Sequence, residues 1–227
     1  MYLVLFDVDG TLVDSQNMIS AIMATAFAAV GRPAPAREAV LGTIGLSLPE
    51  AMHRLLAPDA DAAAVDALVT AYKGGFHAAR TDPRHHEALF PGAHAFLDRL
   101  AGRDDVLLGI ATGKSKRGVR AILDLHDLNG RFVTIQTADD HPSKPHPSMV
   151  MTALAETGVA AENTVMIGDS SFDMVMARAA GAHALGVSWG YQSPAALASA
   201  GAEIIIDRYE DADGAIARLL APVSASE

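Results

Sequence analysis

The sequence predicts an α/β fold: a parallel sheet with helices on both faces, interrupted early by an all-helical insertion. Three observations carry this. From about residue 90 onward, short apolar runs of strand length alternate with stretches of helical spacing, and strands that alternate with helices pair in parallel. Residues 15–87 show helical spacing and no strand pattern. The polar residues that stand out follow the apolar runs, and open parallel sheets bind ligands outside the carboxyl ends of their strands.

Residues 2–6, Tyr-Leu-Val-Leu-Phe, form an apolar β-prone run and read as a buried strand. Then Met18, Ile22, Met23, Ala26, Phe27 and Val30 recur at helical spacing, until Gly31 and Pro33 end the run. Further helices are expected near 48–56 and over 62–79, with no second strand before residue 90. The insertion should close at residues 80–87, which are polar and contain a proline. Beyond it, helices are expected over 93–100, 115–125, 147–157 and 171–180. Strands are expected over 106–111, 132–135, 164–167 and 184–187, then an edge strand over 203–206 and a C-terminal helix. The Pro-Val-Ser-Ala-Ser-Glu tail reads as frayed.

Composition narrows the function. Half of the 227 residues are hydrophobic, enough for one good core plus a small insertion. Net charge is −10, from 17 basic and 27 acidic side chains, so the electrostatic footprint of a nucleic-acid binder is missing. The chain has no cysteine, which removes disulfides, thiolate zinc sites and a cysteine nucleophile. The first residues lack a basic n-region and a cleavage site, and no apolar run reaches membrane-spanning length. A soluble cytoplasmic protein is expected, a monomer or weak homodimer without a nucleic-acid or membrane partner.

Four stretches carry chemistry. The first strand runs into Asp7-Val8-Asp9-Gly10-Thr11. Side chains alternate along an extended chain, so the two carboxylates share a side. At ~4 Å two like charges cost about 4 kcal/mol at an effective dielectric of 20. A divalent cation or a held proton would relieve that. From this stretch alone, an ordinary Asp-Gly turn reads equally well. The second stretch, Thr112-Gly113-Lys114-Ser115, follows the strand at 106–111. A hydroxyl and free N–H groups there suit an anion, although taken alone Thr112 reads better as an ordinary cap of the next helix. In the third, Ser143-Lys144-Pro145, the lysine lies on a proline-stiffened loop. Most such lysines are merely solvated. His141 and His146 nearby read as loop residues, and His53, His77, His85 and His86 as surface or core residues. The fourth, Gly168-Asp169-Ser170-Ser171-Phe172-Asp173, puts one carboxylate at a strand end and another on the first helical turn. Acids are favoured at a helix start in any case. Trp189 reads as a rim residue.

Together these stretches resemble motifs I to IV of the haloacid dehalogenase-like phosphatases, in order and over nearly the whole chain. Asp7 to Ser15 resembles DxDGTLxDS, and Gly168 to Asp173 resembles GDxxxD. The resemblance implies a Rossmann-like core of residues 1–14 and 88–227 with a C1-type helical cap at 15–87. It implies Mg²⁺-dependent hydrolysis of a small-molecule phosphate monoester. Asp7 would be the nucleophile, Asp9 the acid/base, and Lys144 the ammonium beside them. Thr112, Gly113, Gly10 and backbone N–H groups would hold the phosphoryl group. Asp7, the Asp9 carbonyl and Asp169 would hold the metal, with Asp173 in support. The family often shows Thr-Asn-Lys where this chain has Thr112-Gly113-Lys114, a departure that bears on the leaving group. Residues 44–51 resemble the cap loop of phosphoglycolate phosphatases, and Ser47 is the candidate reader of the substrate tail through free N–H groups at a helix start. Pyrophosphatases and β-phosphoglucomutases share the four motifs. A non-catalytic phosphate-binding module is the reading from a different class, and intact catalytic positions argue against it.

Overall fold

A computed structural model describes residues 1–58, 60–80 and 87–221. The polar stretch at 81–86 with His85 and His86, the side chain of His77 and the tail at 222–227 lie outside the described residues.

The core is a six-stranded parallel sheet. Its strands are β1 (Tyr2–Phe6), β4 (Val106–Thr112), β5 (Thr134–Thr137), β6 (Thr164–Gly168), β7 (His183–Val187) and β8 (Ile204–Ile206). Their spatial order is β5-β4-β1-β6-β7-β8. The chain leaves β1 toward one edge and returns to start again on its other side, as in doubly wound, Rossmann-like sheets, which bind ligands at that switch point. The period of two in β1 explains the two layers. Val4 and Phe6 join one apolar cluster with α5 (Ala93–Ala101), α6 (Lys116–Leu125) and α10 (Ala212–Leu219). Leu3 and Leu5 join a second with α7 (Ser148–Thr157), α8 (Ser171–Ala179) and Leu197 of α9 (Pro194–Ser199). A strand buried on both faces must be apolar throughout, and β1 is.

Among the described residues, four helices lie between β1 and α5 in the chain: α1 (Gln16–Ala29), α2 (Arg37–Leu41), α3 (Leu48–Leu56) and α4 (Ala62–Arg80). They form a third cluster of their own, including Met23, Phe27, Met52 and Leu68.

Three expectations need correction. Strands do occur before residue 90. β2 (Val13–Asp14) and β3 (Ala88–Leu89) pair antiparallel where the chain leaves and re-enters the core. Two-residue strands have no periodicity to read. β5 starts at Thr134 rather than 132, pairing Gly109 with Thr134 through Thr112 with Thr137. Its apolar predecessor Val133 is 58% exposed. The short helices α2 and α9 were not expected at all. Among the described residues, no helix is long and apolar enough to cross a membrane.

Candidate active site

Strands β4, β1 and β6 are adjacent, and their registers align Phe6 with both Ile110 and Ile167. Asp7, Thr112 and Asp169 therefore emerge side by side at the carboxyl edge. The Asp7 N–H donates to the Ile167 carbonyl at 3.0 Å, extending the ladder by one residue. Asp7 is 1% exposed. Its Oδ1 accepts the Val8 N–H at 2.7 Å and faces Lys144 Nζ at 3.1 Å. Its Oδ2 is buried without a hydrogen-bond partner among the described residues. Burial pushes the Asp7 carboxyl up to about 7; Lys144 works against that shift, and Asp173 adds to it.

Asp169 lies at the end of β6. Its Oδ1 accepts the Thr11 hydroxyl at 3.2 Å, and its Oδ2 the Tyr191 N–H at 2.8 Å. Burial, then Asp173 and Asp7, hold it well above the ordinary carboxylate range. Gly10, at φ +86°, makes the fit possible, since a Cβ there would fall 2.6 Å from the Asp169 carboxyl carbon. Asp173 sits on the first turn of α8. Its Oδ2 accepts the Ser170 N–H at 3.1 Å and the Ser170 hydroxyl at 2.6 Å, closing a capping box. Its Oδ1 accepts Lys144 Nζ at 2.6 Å. One oxygen from each of Asp7, Asp169 and Asp173 lies within 4.8 Å of the others.

Lys144 is therefore not a solvated loop lysine. It is 1% exposed between two carboxylates. Burial opposes its charge, but Asp173 and Asp7 outweigh burial and hold the ammonium above its usual value. Thr112 does not cap the following helix. Ser115 does, accepting the Gly118 N–H at 3.2 Å. The Thr112 hydroxyl accepts the Lys114 N–H at 3.2 Å.

Asp9 falls outside the three-carboxylate group. Its Oδ1 accepts the Ser15 hydroxyl at 2.6 Å and Lys114 Nζ at 2.8 Å. The repulsion expected between Asp7 and Asp9 is thus met by a lysine on each. Lys114 also reaches Glu87 at 3.5 Å. Burial works against its charge, and Asp9 and Glu87 outweigh that.

The residues expected to greet a substrate tail are differently engaged. The Ser47 N–H donates to Ser143 Oγ at 2.8 Å, and the Leu46 N–H to the Thr43 carbonyl at 3.2 Å. Those two amides are already satisfied, so Ser47 ties the helical insertion to the core. Gly113 packs its backbone against the same loop. Trp189 is a brace rather than a rim residue: its Nε1–H donates to the Thr11 carbonyl at 3.1 Å, and its ring packs on Tyr209.

Sequence reasoning missed Lys114, Ser15, Glu87 and Tyr191. The Tyr191 hydroxyl accepts the Ser15 N–H at 2.8 Å, while its own N–H holds Asp169. For Lys114 a signal existed, since it lies two residues past a strand-end threonine.

Residues 4–187 match the family described as haloacid dehalogenase-like hydrolase. The chain belongs to that family. Across 220 residues it is 36% identical to a protein of Dickeya dadantii named probable phosphatase IndB, covering 96% of this chain and 94% of that one. It is 31% identical to the phosphoglycolate phosphatase of Pseudomonas syringae pv. tomato over 207 residues, 90% of this chain and 76% of the relative. A hydrolase structure from Pseudomonas syringae superposes with a TM-score of 0.83 at 24% identity, over 96% of this chain and 99% of that one. That likeness concerns the fold of the family.

Proposed function

We propose that this phosphatase hydrolyses small phosphate monoesters through a phosphorylated Asp7, with Mg²⁺ as cofactor and residues 15–87 acting as a cap. The observation that carries the reading is the buried, unpartnered Oδ2 of Asp7 inside a group of three buried carboxylates. An orphaned buried carboxylate oxygen costs about 1–3 kcal/mol or more. A hard cation with oxygen ligands fits that vacancy in the bonding. Asp7, Asp169 and the Asp9 backbone carbonyl would hold it. Asp173, with both oxygens bonded to Ser170 and Lys144, supports the set by fixing Lys144. When bound, the ion supplies positive charge against these carboxylates and the phosphoryl oxygens.

The chain's own residues then divide the work. Asp7 attacks phosphorus, and the bond to the ester oxygen breaks. Asp9 gives that oxygen a proton and later takes one from the water that frees Asp7. Both side-chain contacts found for Asp9 use Oδ1, which leaves Oδ2 for proton exchange. Thr112, Lys144 and the N–H groups near Gly10 and Gly113 hold the transferring oxygens. Their pre-set geometry is the usual source of large rate effects in such transfers. The named relatives favour a two-carbon acid such as 2-phosphoglycolate as substrate.

The test is turnover of p-nitrophenyl phosphate and 2-phosphoglycolate with Mg²⁺ and with EDTA, in wild type and Asp7→Asn. Activity should need Mg²⁺ and fall to background in the variant. Retention of more than a few per cent by a folded variant removes Asp7 as nucleophile.

A further inference from the structure

We propose that Gly113 sets how closely the Gly45–Leu46 turn of the helical insertion closes on the core, and so selects esters with small leaving groups. The proposal rests on the phosphatase reading above and adds its size selectivity. Gly113 stands between Thr112, at the phosphoryl pocket, and Lys114, which holds Asp9. Its φ is not among the positive values in the chain, so glycine is not needed there for backbone conformation. It is needed for room. A Cβ on Gly113 would lie 2.5 Å from the Leu46 carbonyl oxygen and 2.7 Å from the Gly45 carbonyl carbon. Those are backbone atoms and cannot swing aside as a side chain would.

The turn is held from its other sides as well. Gly45, at φ +101°, faces Ser170 and Phe172, since a Cβ there would meet Ser170 Oγ at 3.0 Å and the Phe172 ring at 3.5 Å. The Ser47 N–H is bonded to Ser143 Oγ at 2.8 Å. One helix further on, the Arg54 guanidinium lies 5.0 Å from the centre of the Phe172 ring. The turn thus rests on the segments that follow β4, β5 and β6, which begin just past Thr112 and carry Lys144 and Asp169. A leaving group that projects past Gly113 must lift the turn, which breaks the Ser47–Ser143 bond and the packing on Phe172. A two-carbon leaving group need not. Any side chain at 113 imposes the same lift on every substrate, roughly 0.5–1 Å, a gap that already forfeits much of the contact attraction.

The experiment compares wild type with Gly113→Ala and Gly113→Asn. Two readouts are taken. The first is kcat/KM on 2-phosphoglycolate and on glucose 6-phosphate, with Mg²⁺. A misplacement near 1 Å can cost ~10²-fold, so both variants should lose at least about tenfold more on the two-carbon ester than on the hexose ester. The second needs no substrate: amide hydrogen exchange of residues 44–48, which should quicken in both variants as the Ser47–Ser143 bond opens. If Asn fails to fold, Ala adds a single carbon and carries the comparison. Equal losses on the two esters overturn size selection. Unchanged exchange over 44–48 overturns the contact itself. Wild-type turnover of neither ester would sink the phosphatase reading instead, and the exchange result would then judge the contact alone.

Discussion

Asp169→Asn should make the metal-free protein more stable at pH 8. The wild-type carboxyl is 2% exposed and held well above its ordinary pKa, by burial first and then by Asp173 and Asp7. The sign follows from proton counting. Between the unfolded pKa near 3.8 and the raised folded value, the native state keeps a proton that the unfolded chain has released. Stability therefore falls as pH rises through that window. Asparagine carries no such penalty. Its amide oxygen can still accept the Tyr191 N–H, and its amide nitrogen can donate to the Thr11 hydroxyl. The scale comes from the carboxylate spacing. Oxygens within 4.8 Å of one another repel by about 3 kcal/mol per ionised pair at an effective dielectric of 20. Protonation and Lys144 relieve much of this, and each pH unit of the window is worth about 1.4 kcal/mol. A net gain of about 2 kcal/mol at pH 8 corresponds to roughly 4–8 °C in Tm for a chain of this size. Thermal melts in EDTA at pH 5 and pH 8 read it directly, with the gap narrowing toward pH 5. Millimolar Mg²⁺ should reverse the order. A ligand at a hundredfold excess over its Kd adds ~2.7 kcal/mol to the wild type, and the variant should gain far less. A variant that melts below wild type in EDTA at pH 8 refutes the reasoning, as does an equal Mg²⁺ shift in both proteins.

Two neighbouring carboxylates should behave differently. Asp173→Asn removes the closer partner of buried Lys144 and weakens the cap of α8. Breaking a buried ion pair costs about 3–5 kcal/mol, and the low end is expected because Asp7 still faces Lys144; urea unfolding in EDTA measures it, and a loss below about 1 kcal/mol is incompatible with the pairing. Asp9→Asn should slow alkyl phosphates by about 10²–10⁴-fold but p-nitrophenyl phosphate much less, because p-nitrophenolate leaves without a proton. Equal losses on both substrates rule out the acid role for Asp9.

The sheet was legible because its physics is repetitive. β1 alternates Leu3 and Leu5 against Val4 and Phe6, each pair feeding a different core layer. The β5 edge shows where that logic stops. Thr134 and Gln136 are buried there although polar, because Glu156 accepts from both, and Gln136 is bonded in turn to His141. A strand stabilised by a side-chain network has no apolar signature, so the apolar Phe132-Val133 just before it drew the boundary two residues early. The same network explains His141, which bridges Gln136 and Ser148 rather than facing solvent.

The site divides along a similar line. Asp7, Thr112, Asp169 and Lys144 were readable because each follows a strand or a stiff proline loop, and adjacent parallel strands must deliver their ends together. Ser15, Glu87, Lys114 and Tyr191 were not, because they matter only through partners distant in sequence. Their partners share a pattern. Ser15 lies one residue past β2 and Glu87 one residue before β3, at the two points where the chain crosses between the sheet and the four helices. Ser15 bonds Asp9 directly, and Glu87 reaches Asp9 through Lys114. Tyr191 joins the first crossing to Asp169. Ser15 and Glu87 therefore tie Asp9 to those crossings, directly or through Lys114, while Asp7 and Lys144 are anchored to the sheet and to Asp173 of α8. The contacts of Asp9 thus come partly from the crossings and those of Asp7 from the core, so two neighbouring strand-end carboxylates depend on partners scattered along the linear sequence.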